Sequence, residues 1–184
     1  MKTLVVFSHG KESGPWGSKI MGLAEVAQAA GAEVISVDYQ QDQICNHAPD
    51  HDDAVATRRE SERRVAQLLD TPLPAHDRLI LVGSSMGGYV STVASAELNP
   101  AGLFLLAPAV YLANYAVQDP IPRAGKVMIV HGWGDEVVPP ENVIRFARQH
   151  RSTLHLLDGD HRLQAALSEI KRLFGDFLRD VIGY

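Results

Sequence analysis

A chain of 184 residues, 46% hydrophobic and 21% charged, with 15 Gly, 10 Pro and one Cys, has the length of one domain and is too apolar to be disordered, collagen-like or a coiled coil. Its net charge of −5, from 17 Lys and Arg against 22 Asp and Glu, lacks the clustered cations that nucleic acid or an anionic membrane surface requires. One Cys excludes an intrachain disulfide framework, no apolar stretch approaches the ~20 residues that cross a bilayer, and the run Leu4 to Phe7 is too short for a signal-peptide core; the expectation is one cytoplasmic domain over residues 1–184, its oligomeric state left open.

Six short apolar runs follow one another along the chain. They are Leu4 to Phe7, Val34 to Val37, Leu79 to Val82, Leu103 to Leu106, Val127 to Val130 and Leu154 to Leu157. Continuous runs of Val, Ile and Leu suit strands buried on both faces of a parallel sheet. Between and after them lie segments of helical periodicity, at about 16–31, 50–70, 86–98, 140–150 and 162–181. Leu167, Ile170, Phe174, Phe177 and Leu178 form one stripe of the last. Gly31 falls where a helix C-cap belongs, and Asp50, Asp52 and Asp53 where a helix begins. The charged run Arg58-Arg59-Glu60 with Glu62-Arg63-Arg64 reads as the solvated face of its helix. Strand–helix alternation with short connections predicts an α/β fold, a six-stranded doubly wound parallel sheet flanked by helices. The irregular segments 40–50 and 107–125 are candidate rims to a site, because ligands of such sheets bind beyond the carboxyl ends of the strands.

The third run leads directly into Gly83-Ser84-Ser85-Met86-Gly87-Gly88 and then a helix. The pattern Gly-x-Ser-x-Gly arises by chance in about 7% of chains of this length and composition, so its placement between strand and helix carries the argument. A sharp turn there exposes the serine hydroxyl at a helix N-terminus, and small residues on either side avoid collisions. The competing reading is a glycine-rich turn in which Ser85 merely caps a helix. Ser84 would be the nucleophile only in a shifted register.

A serine nucleophile needs a base and an acid that orients the base, expected later in the chain. The fifth strand ends His131-Gly132-Trp133-Gly134-Asp135-Glu136, and the sixth ends Asp158-Gly159-Asp160-His161. Of eight histidines, His9, His47, His51, His76 and His131 precede Asp135, His150 closes a helix and His155 is mid-strand. His161 alone lies in a loop directly after a strand. Asp158 and Asp160 are rival acids better suited to turn formation around Gly159. Donors for a developing oxyanion are expected from the Met86 N–H and from the loop Ser8-His9-Gly10-Lys11, where the Lys11 N–H is the candidate. Trp133 and Tyr111 are candidates to line a substrate pocket, a core or rim role being the alternative.

The ordered set His9-Gly10, Gly83 to Gly88, His131 to Asp135 with Val138-Pro139, and Asp160-His161 resembles the α/β-hydrolase superfamily, in particular small, nearly lidless bacterial serine esterases. The resemblance spans essentially the whole chain. It implies a minimal α/β-hydrolase fold without a substantial lid, Ser85 as nucleophile, His161 as base, Asp135 as orienting acid, and Met86 and Lys11 as oxyanion donors. The strand set begins at what would be the family's third strand, and Ser84 stands where larger members often carry His.

No phosphate-binding or dinucleotide fingerprint follows the first strand. His47 and His51 are four apart but flank Pro49, which argues against a helical metal pair, and Cys45 has no activating neighbour in sequence. Neither a metal nor another cofactor is expected. The expected function is a serine hydrolase cleaving small or short-chain carboxylic esters or thioesters. The alternatives are an acyltransferase or amidase using the same site, or a non-catalytic ligand-binding member of the fold.

Overall fold

The computed structural model describes residues 1–40 and 53–183. Its elements run β1 (Thr3–Ser8), α1 (Ser18–Ala29), β2 (Glu33–Val37), α2 (Asp53–Asp70), β3 (Arg78–Ser84) and α3 (Met86–Leu98). They continue with β4 (Gly102–Leu106), β5 (Lys126–Gly132), α4 (Pro140–His150), β6 (Thr153–Leu157) and α5 (Leu167–Ile182). All six strands pair in parallel in the order β2-β1-β3-β4-β5-β6. The expected doubly wound α/β sheet is therefore the observed one.

Successive strand side chains alternate between the two faces, and each face carries its own core. Leu4, Val6, Leu79, Leu81, Leu103, Leu105 and Ile129 pack with Met86, Tyr89 and Val90 of α3, Leu68 of α2 and Phe146 of α4. Val5, Phe7, Ile80, Val82, Phe104, Leu106 and Val130 pack with Leu23 of α1 and with Ile170, Phe174 and Phe177 of α5. Both faces are covered, which is why the strands read as unbroken apolar runs.

Local signals set the element ends. Gly31 has φ +78°, and the N–H groups of Gly31 and Ala32 return to the carbonyls of Gln28 and Ala27, closing α1 in a Schellman motif. Pro140 occupies the first turn of α4. The last helix starts at Leu167 rather than at the expected 162. Asp160 Oδ1 accepts the N–H groups of Arg162 and Leu163, and Leu163 takes φ 56°, so the chain turns before it can wind.

The register aligns the carboxyl ends: Ser8 faces Gly83, Ser84 faces Leu106, and Gly132 faces Leu157. The loops after β1, β3, β5 and β6 therefore open on one edge of the sheet. Because β2 and β3 lie on opposite sides of β1, the crevice between β1 and β3 is the point where the winding reverses, the usual place for a ligand. The β4–β5 connection, 107–125, contains neither helix nor strand, so no substantial lid covers that edge among the described residues.

Candidate active site

The strand β3 ends and α3 begins with only Ser85 between them, and that residue takes φ 55°, ψ −117°. Such a backbone costs a non-glycine residue on the order of 1–3 kcal/mol and persists only where its surroundings enforce it. Here the Ser85 N–H donates to the Leu106 carbonyl at 2.9 Å, while the Ser85 carbonyl accepts from Gly88, Tyr89 and Ala109. The flanking glycines are required by close approach. A Cβ on Gly83 would overlap the Gly87 carbonyl, and one on Gly87 would overlap the carbonyl of Ser8. Only glycine lets α3 begin this close to both strands.

The hydroxyl so presented meets a histidine. Ser85 Oγ lies 2.9 Å from His161 Nε2, and His161 Nδ1 lies 2.7 Å from Asp135 Oδ2. An ionised carboxylate only accepts, so Nδ1 carries the proton and Nε2 is left with a lone pair facing the hydroxyl. The loops bearing the two partners are stitched together: Trp133 N–H donates to Leu157 O and Gly134 N–H to Gly159 O, both at 2.9 Å. The Asp135 side chain is fully buried, and its Oδ1 accepts the N–H groups of Val137 and Val138 at 2.9 and 2.8 Å. Burial alone would push this carboxyl up. The His161 hydrogen bond and the Val138 and Val137 N–H groups outweigh it and hold the carboxyl below its usual range. Asp135 therefore stays charged.

Gly10 lies against the elbow: a Cβ built on it would stand 3.5 Å from Ser85 Cβ. That brings the loop containing Lys11 to the side of Ser85 opposite β4. The Lys11 ammonium itself turns away, donating to Thr57 Oγ1 at 3.1 Å, so only its backbone is available to the site. Met86 opens α3, and the first N–H groups of a helix have no partner within it. Ser84 is occupied otherwise, accepting from Lys19 Nζ at 3.2 Å. Burial lowers the Lys19 ammonium to about 8, against the raising influence of Asp160 and Asp135.

The two residues expected at the substrate part company. Trp133 is 58% exposed in the loop that carries Asp135, open to the carboxyl edge. Tyr111 is engaged by other side chains. Its hydroxyl bonds Asp119 Oδ1 and Gln149 Oε1, each at 3.0 Å, and its ring lies 4.2 Å beneath the Arg145 guanidinium. Arg145 and Gln149 belong to α4, and Asp119, in the same connection as Tyr111, accepts in turn from Gln149 Nε2 at 2.7 Å, so the ring is engaged along that helix.

Three residues near the site escaped the sequence reading. His131, set aside by chain order, is buried beside Asp135, and Lys19 reaches the elbow from α1. Arg64, taken as part of a solvated face, is 0% exposed; the signal available was its spacing with Thr57, Ser61 and Leu68, the other buried residues of α2. Cys45, His47 and His51 lie outside the described residues. Among the described residues no helix is long and apolar enough to cross a membrane.

Comparison with known proteins identifies the family and the fold. Residues 5–181 match the sequence model of the Alpha/beta hydrolase family. No curated protein matches the chain in sequence. The structure is similar to that of an α/β-superfamily protein from Xanthomonas campestris pv. campestris, with 30% identity and a TM-score of 0.74 over 97% of this chain and 98% of the other. An α/β serine hydrolase without a lid from Xanthomonas campestris superposes with a TM-score of 0.74 and 21% identity, covering 97% and 81%. The mouse alpha/beta hydrolase domain-containing protein 10 gives 0.73 and 21%, covering 97% and 90%. The latter two likenesses are of fold.

Proposed function

The chain belongs to the alpha/beta hydrolase family, and from that premise we propose that it is a serine hydrolase of small or short-chain carboxylic esters or thioesters, acting as one domain. Ser85 is the nucleophile, His161 the general base and acid, and Asp135 the group that holds the imidazole. The observation that carries this reading is the continuous hydrogen-bonded relay from the strained Ser85 through His161 to a buried, ionised Asp135.

In the first half-reaction Ser85 Oγ gives its proton to His161 Nε2 and bonds to the substrate carbonyl carbon, whose π pair moves to oxygen. The Met86 and Lys11 N–H groups face that oxyanion. Collapse of the intermediate restores the carbonyl and breaks the C–O or C–S bond, the leaving group taking the proton from Nε2. Water then gives a proton to Nε2 as its oxygen bonds to the acyl carbon, and collapse returns the proton to Ser85 Oγ with release of the acid. Asp135 stabilises the imidazolium in both halves without taking its proton.

The short β4–β5 connection offers no helix to enclose a long acyl chain, which supports a preference for small acyl groups. The test is fluorophosphonate labelling of wild type beside Ser85→Ala, followed by p-nitrophenyl esters of increasing acyl length. The expected result is labelling of wild type alone and a fall in turnover on the order of 10⁶ in the variant, with rates declining toward long chains. A folded wild type that neither labels nor turns over any ester overturns the reading in favour of a binding protein.

A further inference from the structure

The loop expected to supply the second oxyanion donor is held from behind by a charge. Arg64, on the inner face of α2, is 0% exposed. Its Nη1 donates to the His9 carbonyl at 3.1 Å and to the Gly10 carbonyl at 3.2 Å. Its Nε pairs with Glu60 at 2.6 Å, and the guanidinium lies 4.9 Å over the ring of Tyr39. Nη2 has no hydrogen-bond partner among the described residues, so the contacts to the loop prevail over full satisfaction of the fork. A buried ion pair is a poor means of stabilising a core, where apolar side chains of the same volume serve as well or better. The position of this one calls for another reason.

That reason lies in the planarity of the peptide. No peptide bond in the described chain is cis, so each carbonyl points opposite to the N–H of the next residue. With the His9 and Gly10 carbonyls drawn toward α2, the N–H groups of Gly10 and Lys11 point away from it, and Gly10 lies against the elbow on that side. The neighbours lock this orientation. His9 Nδ1 donates to the Gly10 carbonyl at 2.8 Å, His9 Nε2 accepts the Tyr39 N–H at 3.3 Å, and Tyr39 Oη pairs with Ser8 Oγ at 2.8 Å. A hydrogen bond from a full cation in a dry interior is the strongest of this set.

We infer that Arg64 is a positioning residue for the oxyanion hole: its guanidinium holds the His9 and Gly10 carbonyls toward α2 and thereby aims the Lys11 N–H at the substrate carbonyl over Ser85. The inference rests on the serine-hydrolase reading above. It separates Arg64 from residues that only support the fold, because its loss misdirects a donor needed in the transition state and leaves ground-state binding in place.

The experiment compares wild type, Arg64→Met and Arg64→Lys on p-nitrophenyl acetate and on a trifluoromethyl ketone, which forms a tetrahedral adduct with the serine. In folded Arg64→Met, kcat falls on the order of 100-fold with KM little changed, and affinity for the ketone falls in proportion. Arg64→Lys, which keeps a cationic donor, recovers part of both. A folded Arg64→Met with wild-type kcat and ketone affinity overturns the inference. If Arg64→Met does not fold, ¹⁵N-labelled wild type decides: the Lys11 amide proton moves downfield when the ketone adduct forms, and a stationary Lys11 amide overturns the inference. An active wild type with either contrary result sinks this inference alone, whereas a folded wild type inert to fluorophosphonate removes the hydrolase reading and this inference with it.

Discussion

His131 Nε2 lies 3.4 Å from Oδ2 of Asp135, with both side chains fully buried. The same nitrogen is 3.0 Å from the Val138 carbonyl, so its proton ties down the loop whose N–H groups hold the other Asp135 oxygen. A second histidine thus backs the carboxylate that His161 engages from the front. Burial keeps the His131 imidazole below its ordinary value despite the raising influence of Asp135 and of the Val138 carbonyl, and it remains neutral.

That neutrality predicts a pH dependence of stability. His9 is likewise lowered, chiefly by burial. For both, the folded value lies below the ordinary 6.5, so the unfolded chain takes up protons first as pH drops. Their contribution is fully present above about 6.5 and is lost as pH falls toward the folded values, with a slope of at most about 1.4 kcal/mol per pH unit for each. Urea unfolding at pH 7.5, 6.5 and 5.5 measures it. His131→Asn flattens the slope; an unchanged slope contradicts the prediction.

Asp135→Asn keeps the shape of the side chain and removes the charge. An amide can donate to His161 Nδ1 and so favours the wrong tautomer, with the proton on the nitrogen that must receive one from Ser85. The expected loss in kcat at neutral pH is about 10⁴-fold, with the fold retained. Steady-state kinetics beside circular dichroism checks both halves, and a loss below tenfold contradicts the role assigned to Asp135.

Gly87→Ala places a methyl group into the Ser8 carbonyl. Neither β1 nor α3 can retreat without opening the core between them. A loss of about 3 kcal/mol or more is expected, measured as a drop in the urea midpoint. Gly31→Ala is the control for crowding: nothing lies within 4 Å of that site, and its cost is confined to the left-handed backbone.

Trp133→Ala tests the apolar wall beside the Asp135 loop. An exposed indole that covers an acyl group contributes through area, on the order of 1.4 kcal/mol or tenfold in KM. The expected variant has a raised KM and a nearly unchanged kcat. The reverse pattern would move Trp133 from substrate contact to loop geometry.

Much of this molecule could be read from one dimension. All six apolar runs became strands, four of them extended by one or two residues and two by three, and α3 and α4 occupy 86–98 and 140–150 as expected. Burial on both faces writes itself into a sequence as uninterrupted Val, Ile and Leu, and glycines mark where backbones touch. The grouping of Ser85, Asp135 and His161 was legible for the same reason: each follows directly after a strand, and parallel strands deliver their ends to one edge. The start of α5 was not, because a single side-chain acceptor on Asp160 turned the chain at Arg162 and Leu163 and so outweighed the helical periodicity there.

Sequence by itself determined which segments wind, which extend, and which chemical groups stand at strand ends, since these depend on local periodicity and turn geometry. Tertiary structure alone decided what lies opposite each surface. Tyr111 was drawn to α4 by Asp119 and Gln149, residues 8 and 38 positions away. Arg64, charged and flanked by charges in the sequence, was buried because the carbonyls of His9 and Gly10, 55 and 54 positions back, accept from its guanidinium. A side chain's own character sets what partner it needs; only the folded chain sets whether that partner is water or protein.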